Sequence, residues 1–171
     1  MNWYELSYSA FLNQPTKTKE DLIRIIAFAY SWMPTIPDIN SENTKWDRLI
    51  ELINELKQGS IVNRKELLSL LTPLVNNSIV GSSKVLHFIA PNLAPIIDGR
   101  VTKAWNKRFG LGKTGYEFKR PNSYFFKEES GMNKVIEVYL KYWDVMQWQV
   151  VEFHKTLREL EFEMYSEGKS Q

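Results

Sequence analysis

Cysteine is absent from this chain, which excludes a disulfide framework, a thiolate zinc site and an iron–sulfur cluster. Histidine is scarce: His87 and His154 are the only two, too few for most histidine-rich metal centres. Carboxylates are plentiful, but no acidic cluster has metal-ligand spacing, so neither a metal nor a cofactor is expected. A long apolar run is missing as well. The most apolar stretch, Val135–Phe153, is interrupted by Glu137, Lys141, Asp144, Gln147, Gln149 and Glu152, and does not read as a membrane span. The opening stretch MNWYELSYSAFLNQ has no basic leader followed by an apolar core. No secretory signal is expected, and the reading is a soluble, cytoplasmic protein. Internal repeats and low-complexity tracts are absent.

What is present suits one domain over residues 1–171. The 171 residues are 43% hydrophobic and 13% aromatic, enough apolar material for a sizeable core. Thr16 or Thr18 can cap a helix through Ile23, Ile26, Ala27 and Tyr30, stopped by Pro34. Asn43 or Thr44 starts a second, with Trp46, Leu49, Ile50, Ile53 and Leu56 at helical spacing and Gly59 at its end. Asn63 caps a third carrying Leu67, Leu68, Leu70, Leu71 and Leu74, with Pro73 kinking it or ending it early. Residues 76–83 read as a tight polar connection, after which Ser82 or Ser83 caps a helix over Lys84–Ile89. Asp98 caps the next, through Val101, Ala104 and Trp105, closed by Gly110. Residues 111–130 read as an irregular excursion with a short extended piece at Ser123–Phe126. A long helix then runs from about Met132 to Tyr165, its first half apolar almost all round and therefore central. The predicted fold is all-α: a compact orthogonal array of helices with a long C-terminal helix.

Two residues carry the chemistry of this pattern. Lys84 opens one apolar run, and Asp98 opens the next after a proline-bearing turn. A lysine in the first turn of a helix faces the positive end of the macrodipole, and burial would further disfavour its ammonium form. Such an amine is a usable nucleophile. The plain alternative is a surface lysine with no role. Asp98 is placed as an N-cap, which alone accounts for it; its second oxygen would serve chemistry only by facing a cleft shared with Lys84.

Net charge is only +2, but the basic residues are unevenly spread. Arg100, Lys103, Lys107, Arg108, Lys113, Lys119 and Arg120 fall between Gly99 and Arg120, with Glu117 as the sole acid. Such a field attracts phosphate, or is a solvated helix face plus loop. Arg100, Lys103 and Lys107 recur at helical spacing, a stripe able to contact phosphates. Backbone N–H groups of Val80, Gly81, Ser82 and Ser83 are candidates for a further phosphate at a helix start. His87 and Trp105, with Phe109, Tyr116 and Phe118, are candidates for a base pocket; a packed, hydrogen-bonded core residue is the commoner reading of such a histidine, and packing explains Trp105 at least as well. Gly112-Lys113-Thr114 looks like the end of a phosphate-binding loop, but Lys107 stands where the earlier glycine is required and no strand precedes it.

Two helices joined by the stretch Asn77-Ser-Ile-Val-Gly-Ser-Ser-Lys84, followed by Pro95-Ile-Ile-Asp-Gly-Arg-Val101, resemble the helix-hairpin-helix DNA glycosylase superfamily. Within it the likeness is to the 8-oxoguanine DNA glycosylase-like fold. The family's hairpin usually reads Leu-Pro-Gly-Val-Gly-x-Lys, so one glycine of its Gly-x-Gly is absent here. The resemblance spans about Leu67 to Trp105. It implies a helix-hairpin-helix element, Lys84 as nucleophile, Asp98 as catalytic aspartate, and duplex DNA with a modified base as partner. The implied activity is base excision, with or without lysine Schiff-base lyase activity. The alternatives are a non-catalytic all-α module binding nucleic acid or protein on the same fold, and an unrelated all-α interaction protein.

The proposed stripe is directly testable. Replacing Arg100, Lys103 and Lys107 together by acids should weaken duplex binding and flatten its salt dependence, because fewer counterions are released. Fluorescence anisotropy across a salt series measures both, and unchanged binding removes the stripe.

Overall fold

The computed structural model describes residues 3–12, 14–109 and 129–169. Among them the chain is all-α, with eight helices and no strand. The predicted end of a helix at Gly110, the irregular excursion and the extended piece at Ser123–Phe126 lie outside the described residues, apart from residues 129 and 130, which are helical.

Local chemistry sets the first elements. Helix α1 (Trp3–Phe11), which the periodicity did not single out, seats Phe11 flat on Phe28 with centroids 4.1 Å apart. Helix α2 (Lys19–Tyr30) begins at a capping box. Thr18 Oγ1 accepts from the Asp21 N–H at 3.2 Å, and Asp21 Oδ2 accepts from the Thr18 N–H at 3.1 Å. Thr16, the other candidate cap, is buried and donates to Asn54 Oδ1 at 2.6 Å instead. Helix α3 (Trp46–Lys57) ends as the glycine foretold, with Gly59 at φ +98°. Helix α4 (Arg64–Leu74) runs one residue past Pro73.

The turn after α4 uses asparagine in the left-handed region rather than glycine: Asn76 has φ +53° and Asn77 has φ +47°. Helix α5 (Ile79–Ile89) then starts earlier than the sequence suggested. Its cap is Ser78, whose hydroxyl accepts from the Gly81 N–H at 3.1 Å. Ser82 and Ser83 therefore do not cap a helix at Lys84; they lie inside one, and residues 81–90 are all buried. Gly81 serves packing, since a Cβ there would come within 2.7 Å of the Tyr30 hydroxyl.

Helix α6 (Gly99–Phe109) follows the Asp98 cap. Helix α7 (Glu129–Phe153) supplies Tyr139, Tyr142, Trp143 and Met146 to the core. The expected single helix to Tyr165 is broken: His154 takes φ +52°, and Thr156 exchanges capping hydrogen bonds with Glu159. Helix α8 (Leu157–Lys169) consequently turns away from the line of α7 and packs along α6. The two approach so closely at Gly168 that a Cβ would fall 2.2 Å from the Arg100 carbonyl oxygen.

That contact is with backbone, which cannot swing aside. Gly168→Ala should cost about 1–3 kcal/mol by forcing α8 off α6. Urea denaturation would show a lower midpoint with unchanged slope.

Candidate active site

The site is organised by a segment that is neither helix nor strand. Residues 94–97 are buried, so their backbone groups need partners inside the protein. Side chains supply them. His87 Nδ1–H donates to the Ala94 carbonyl at 2.9 Å. Tyr139 O–H donates to the Pro95 carbonyl at 2.7 Å, and Tyr142 O–H to the Ile96 carbonyl at 2.9 Å. The Ile96 N–H donates to Glu161 Oε1 at 2.5 Å, and the Ile97 N–H to Ser83 Oγ at 3.2 Å. This frame delivers Asp98 to the start of α6, where Oδ1 accepts from the N–H groups of Arg100 at 2.9 Å and Val101 at 2.8 Å.

Lys84 and Asp98 line one cavity of about 570 Å³, open mouth included. Lys84 lies in the second turn of α5, not the first, so the macrodipole argument for its amine does not hold. Burial takes its place: the residue is 9% exposed, and desolvation holds its ammonium below the usual lysine range. Asp98 counteracts that shift and Arg100 adds to it. Among the described residues the amine forms no hydrogen bond or ion pair, and Asp98 makes no ion pair.

Helix α8 forms the facing wall with Arg158, Glu161, Phe162 and Tyr165, a spacing that puts them on one helical face. Trp32, just past the end of α2, completes the aromatic lining. The Arg158 guanidinium stacks on Tyr8, 4.4 Å from the ring centroid, and lies 5.8 Å from that of Trp32. Glu161 is 2% exposed; burial pushes its carboxyl up to about 8 against the hydrogen bond from Ile96 and the charge of Arg158. His87 is fully buried, and burial brings its imidazole down to about 4. The 3.6 Å separation of His87 Nδ1 and Glu161 is therefore no ion pair near neutrality, since both groups are uncharged.

Several expected site residues lie elsewhere. His87 is a core residue, its Nε2 accepting from Tyr8 O–H at 2.9 Å while Nδ1 serves Ala94. Trp105 is 1% exposed and packs edge-on against Tyr142 in the core. The Phe109 side chain, Tyr116 and Phe118, and the basic residues Lys113, Lys119 and Arg120, lie outside the described residues. Gly81, Ser82 and Ser83 are buried with their donors engaged: the Gly81 and Ser82 N–H groups bond to Ser78, and the two serine hydroxyls to Thr72 and the Val80 carbonyl. Val80 is half-buried against the core. The expected amide cradle for a phosphate is therefore closed off. Lys103 and Lys107 are exposed, while Arg100 lies over the Tyr165 ring, 4.7 Å from its centroid.

The sequence reading missed Trp32, Arg158, Glu161, Phe162 and Tyr165. The available signal was the Arg-x-x-Glu-Phe-x-x-Tyr spacing beside the apolar stripe Leu157, Leu160 and Met164. No helix among the described residues is long and apolar enough to cross a membrane. No family model, curated protein or solved structure matches the chain with significance.

The buried acid has a pH signature. An unfolded glutamate ionises near 4.5, whereas folded Glu161 keeps its proton to about 8. The folded state binds more protons in between, so this group's contribution to stability falls as pH rises through that window and is level above it. His87 acts oppositely, but only between about 4 and 6.5. From pH 6.5 to 8 wild type should thus lose about 2 kcal/mol relative to Glu161→Gln, as measured by paired denaturant titrations.

Proposed function

We propose that this protein excises a modified base from DNA, with Lys84 as the nucleophile and Asp98 as the stabilising carboxylate. One observation carries the reading: a buried amine, unpaired among the described residues and with a depressed proton affinity, lines the same cavity as a part-buried carboxylate. The cavity's aromatic lining of Trp32, Phe162 and Tyr165 suits a flat heterocycle taken out of the stack.

The residues divide the work. Lys84 Nζ, as free amine, attacks C1′ of the sugar while the C1′–N bond to the base breaks and its electron pair leaves with the base. The proton shed by the new C1′–N linkage ends on the departing base. Asp98 spends Oδ1 on the helix cap, which fixes the carboxylate and leaves Oδ2 for the positive charge developing at C1′. Opening of the sugar ring then yields a Schiff base on Lys84, from which loss of a C2′ proton and of the 3′ phosphate is β-elimination. The turn at Asn76–Asn77 between α4 and α5 is the counterpart of the family's hairpin in this reading. Lys103 and Lys107 offer charge to the flanking backbone.

The enclosure of Gly81–Ser83 favours a second reading, in which the helical scaffold and pocket bind nucleic acid or protein without chemistry.

Borohydride trapping separates the two. Wild type should form a covalent adduct with an abasic-site duplex and with at least one duplex of a broad modified-base panel, and Lys84→Gln should form none. Asp98→Asn should slow base release by about 100-fold or more, the usual loss on removing a transition-state charge partner. Absence of both adduct and base release across the panel overturns the glycosylase reading and leaves the binding module.

A further inference from the structure

The frame around the Pro95–Ile97 segment accounts for one oxygen of Glu161 and leaves the other without a role. Oε1 accepts the Ile96 N–H at 2.5 Å. Oε2 is buried and has no hydrogen-bond partner among the described residues, although Glu161 lines the cavity that holds Lys84 and Asp98. A buried polar atom left without a partner is destabilising. A cavity-lining residue that retains that cost is poised to recover it from a ligand.

We propose that Glu161 reads the base: the Oε2 that the backbone leaves unused is the cavity's hydrogen-bond donor to a carbonyl oxygen or bare ring nitrogen of the extruded nucleobase. This deepens the glycosylase reading and rests on it. The selection is chemical. A keto oxygen turned toward α8 meets a donor, whereas an exocyclic amino group in the same place opposes donor to donor. The hydrogen bond also strengthens as the base takes up electrons on leaving, so it assists departure as well as binding.

The donor state fits the surroundings. Burial keeps the carboxyl protonated to about 8. The groups that bear on it are Arg158 on its own helix, which favours ionisation, and Asp98 at the start of α6, which opposes it. Tyr8 of α1, and Tyr139 and Tyr142 of α7, are pushed up chiefly by burial and further by Glu161 once it ionises, and His87 of α5 is uncharged at 3.6 Å. Lys84 shares the cavity with an amine held below the usual lysine range.

The test is single-turnover base release from the modified-base duplex panel between pH 6 and 9, run in parallel with borohydride trapping on an abasic-site duplex, which has no base to read. Wild-type release should fall about tenfold per pH unit above about 8 as the donor ionises, while abasic trapping shows no such fall. Glu161→Gln keeps an acceptor for Ile96 and an N–H donor for the base; its release should stay within about threefold of wild type near neutrality and lose the alkaline decline. Glu161→Leu removes the donor and the Ile96 acceptor together, so its base release should fall at least 30-fold further than its abasic trapping does; if it fails to fold, the Glu161→Gln profile decides. Release by Glu161→Leu at the wild-type rate, equal loss of release and abasic trapping in a folded Glu161→Leu, or an alkaline decline that persists in Glu161→Gln overturns the assignment to Glu161 alone. A wild type inert on every duplex overturns the glycosylase reading and this one with it.

Discussion

The buried, irregular passage of the chain from Ala94 to Ile97 is the constraint on which the rest of the molecule depends. Helices satisfy their own backbone; this segment cannot, and each group stranded away from water would cost about 1–3 kcal/mol. The solution draws five side chains from three helices: Ser83 and His87 from α5, Tyr139 and Tyr142 from α7, Glu161 from α8. Five polar residues that would be anomalous in an apolar core are thereby explained together. The same hydrogen bonds join three helices to the peptide that ends in Asp98, so the carboxylate's position is set by the core and not by a surface loop.

Desolvation, more than pairing, governs the charges around the cavity. Lys84 is disfavoured as a cation, Glu161 as an anion and His87 as a cation, each chiefly because of burial. Arg158, always charged, lies on aromatic faces instead of a carboxylate. Were Glu161 ionised and paired with His87, its charge would be spent within the core. Both being neutral, the hydrogen-bonding capacity of the acid stays with the cavity.

Much of this was legible along the chain, and the reasons for the rest are specific. The start of α2 and the end of α3 are written locally, in the Thr18 capping box and in Gly59, whereas α3 starts at Trp46 without the side-chain cap expected from Asn43 or Thr44. Lys84 and Asp98 stood out because they flank consecutive elements, and one cavity includes both. The start of α5 was misplaced because Ser78, Ser82 and Ser83 can all cap; the choice is tertiary, made where Gly81 meets Tyr30. The break at His154 is equally hidden, since no proline or glycine marks it and a non-glycine residue adopts φ +52°. Glu161 sits in an acidic, apparently solvent-facing half-helix, and its partner at Ile96 is 65 positions away in the sequence. Periodicity detects that a face exists, but not what lies against it.

In the proposed reading, that hidden partnership puts chemistry and recognition on different elements. Lys84 and Asp98 belong to α5 and the start of α6, both held by the buried frame. The opposing wall belongs to one stripe of α8, whose adjacent stripe, Leu157, Leu160 and Met164, is anchored in the core. Helix α8 is seated by a short list of contacts: the Gly168 approach to Arg100, the Arg108–Glu167 fork at 2.5 and 2.9 Å, and the Arg100–Tyr165 stack. A shift of α8 by a fraction of an ångström would therefore reshape what the cavity accepts. Because Glu161 belongs both to the frame and to that wall, the seating of α8 and the position of Asp98 are mechanically coupled through the Ile96 amide. A side chain lining the cavity is thus also a strut of the fold, and only a substitution that preserves the acceptor for Ile96 can separate the two roles.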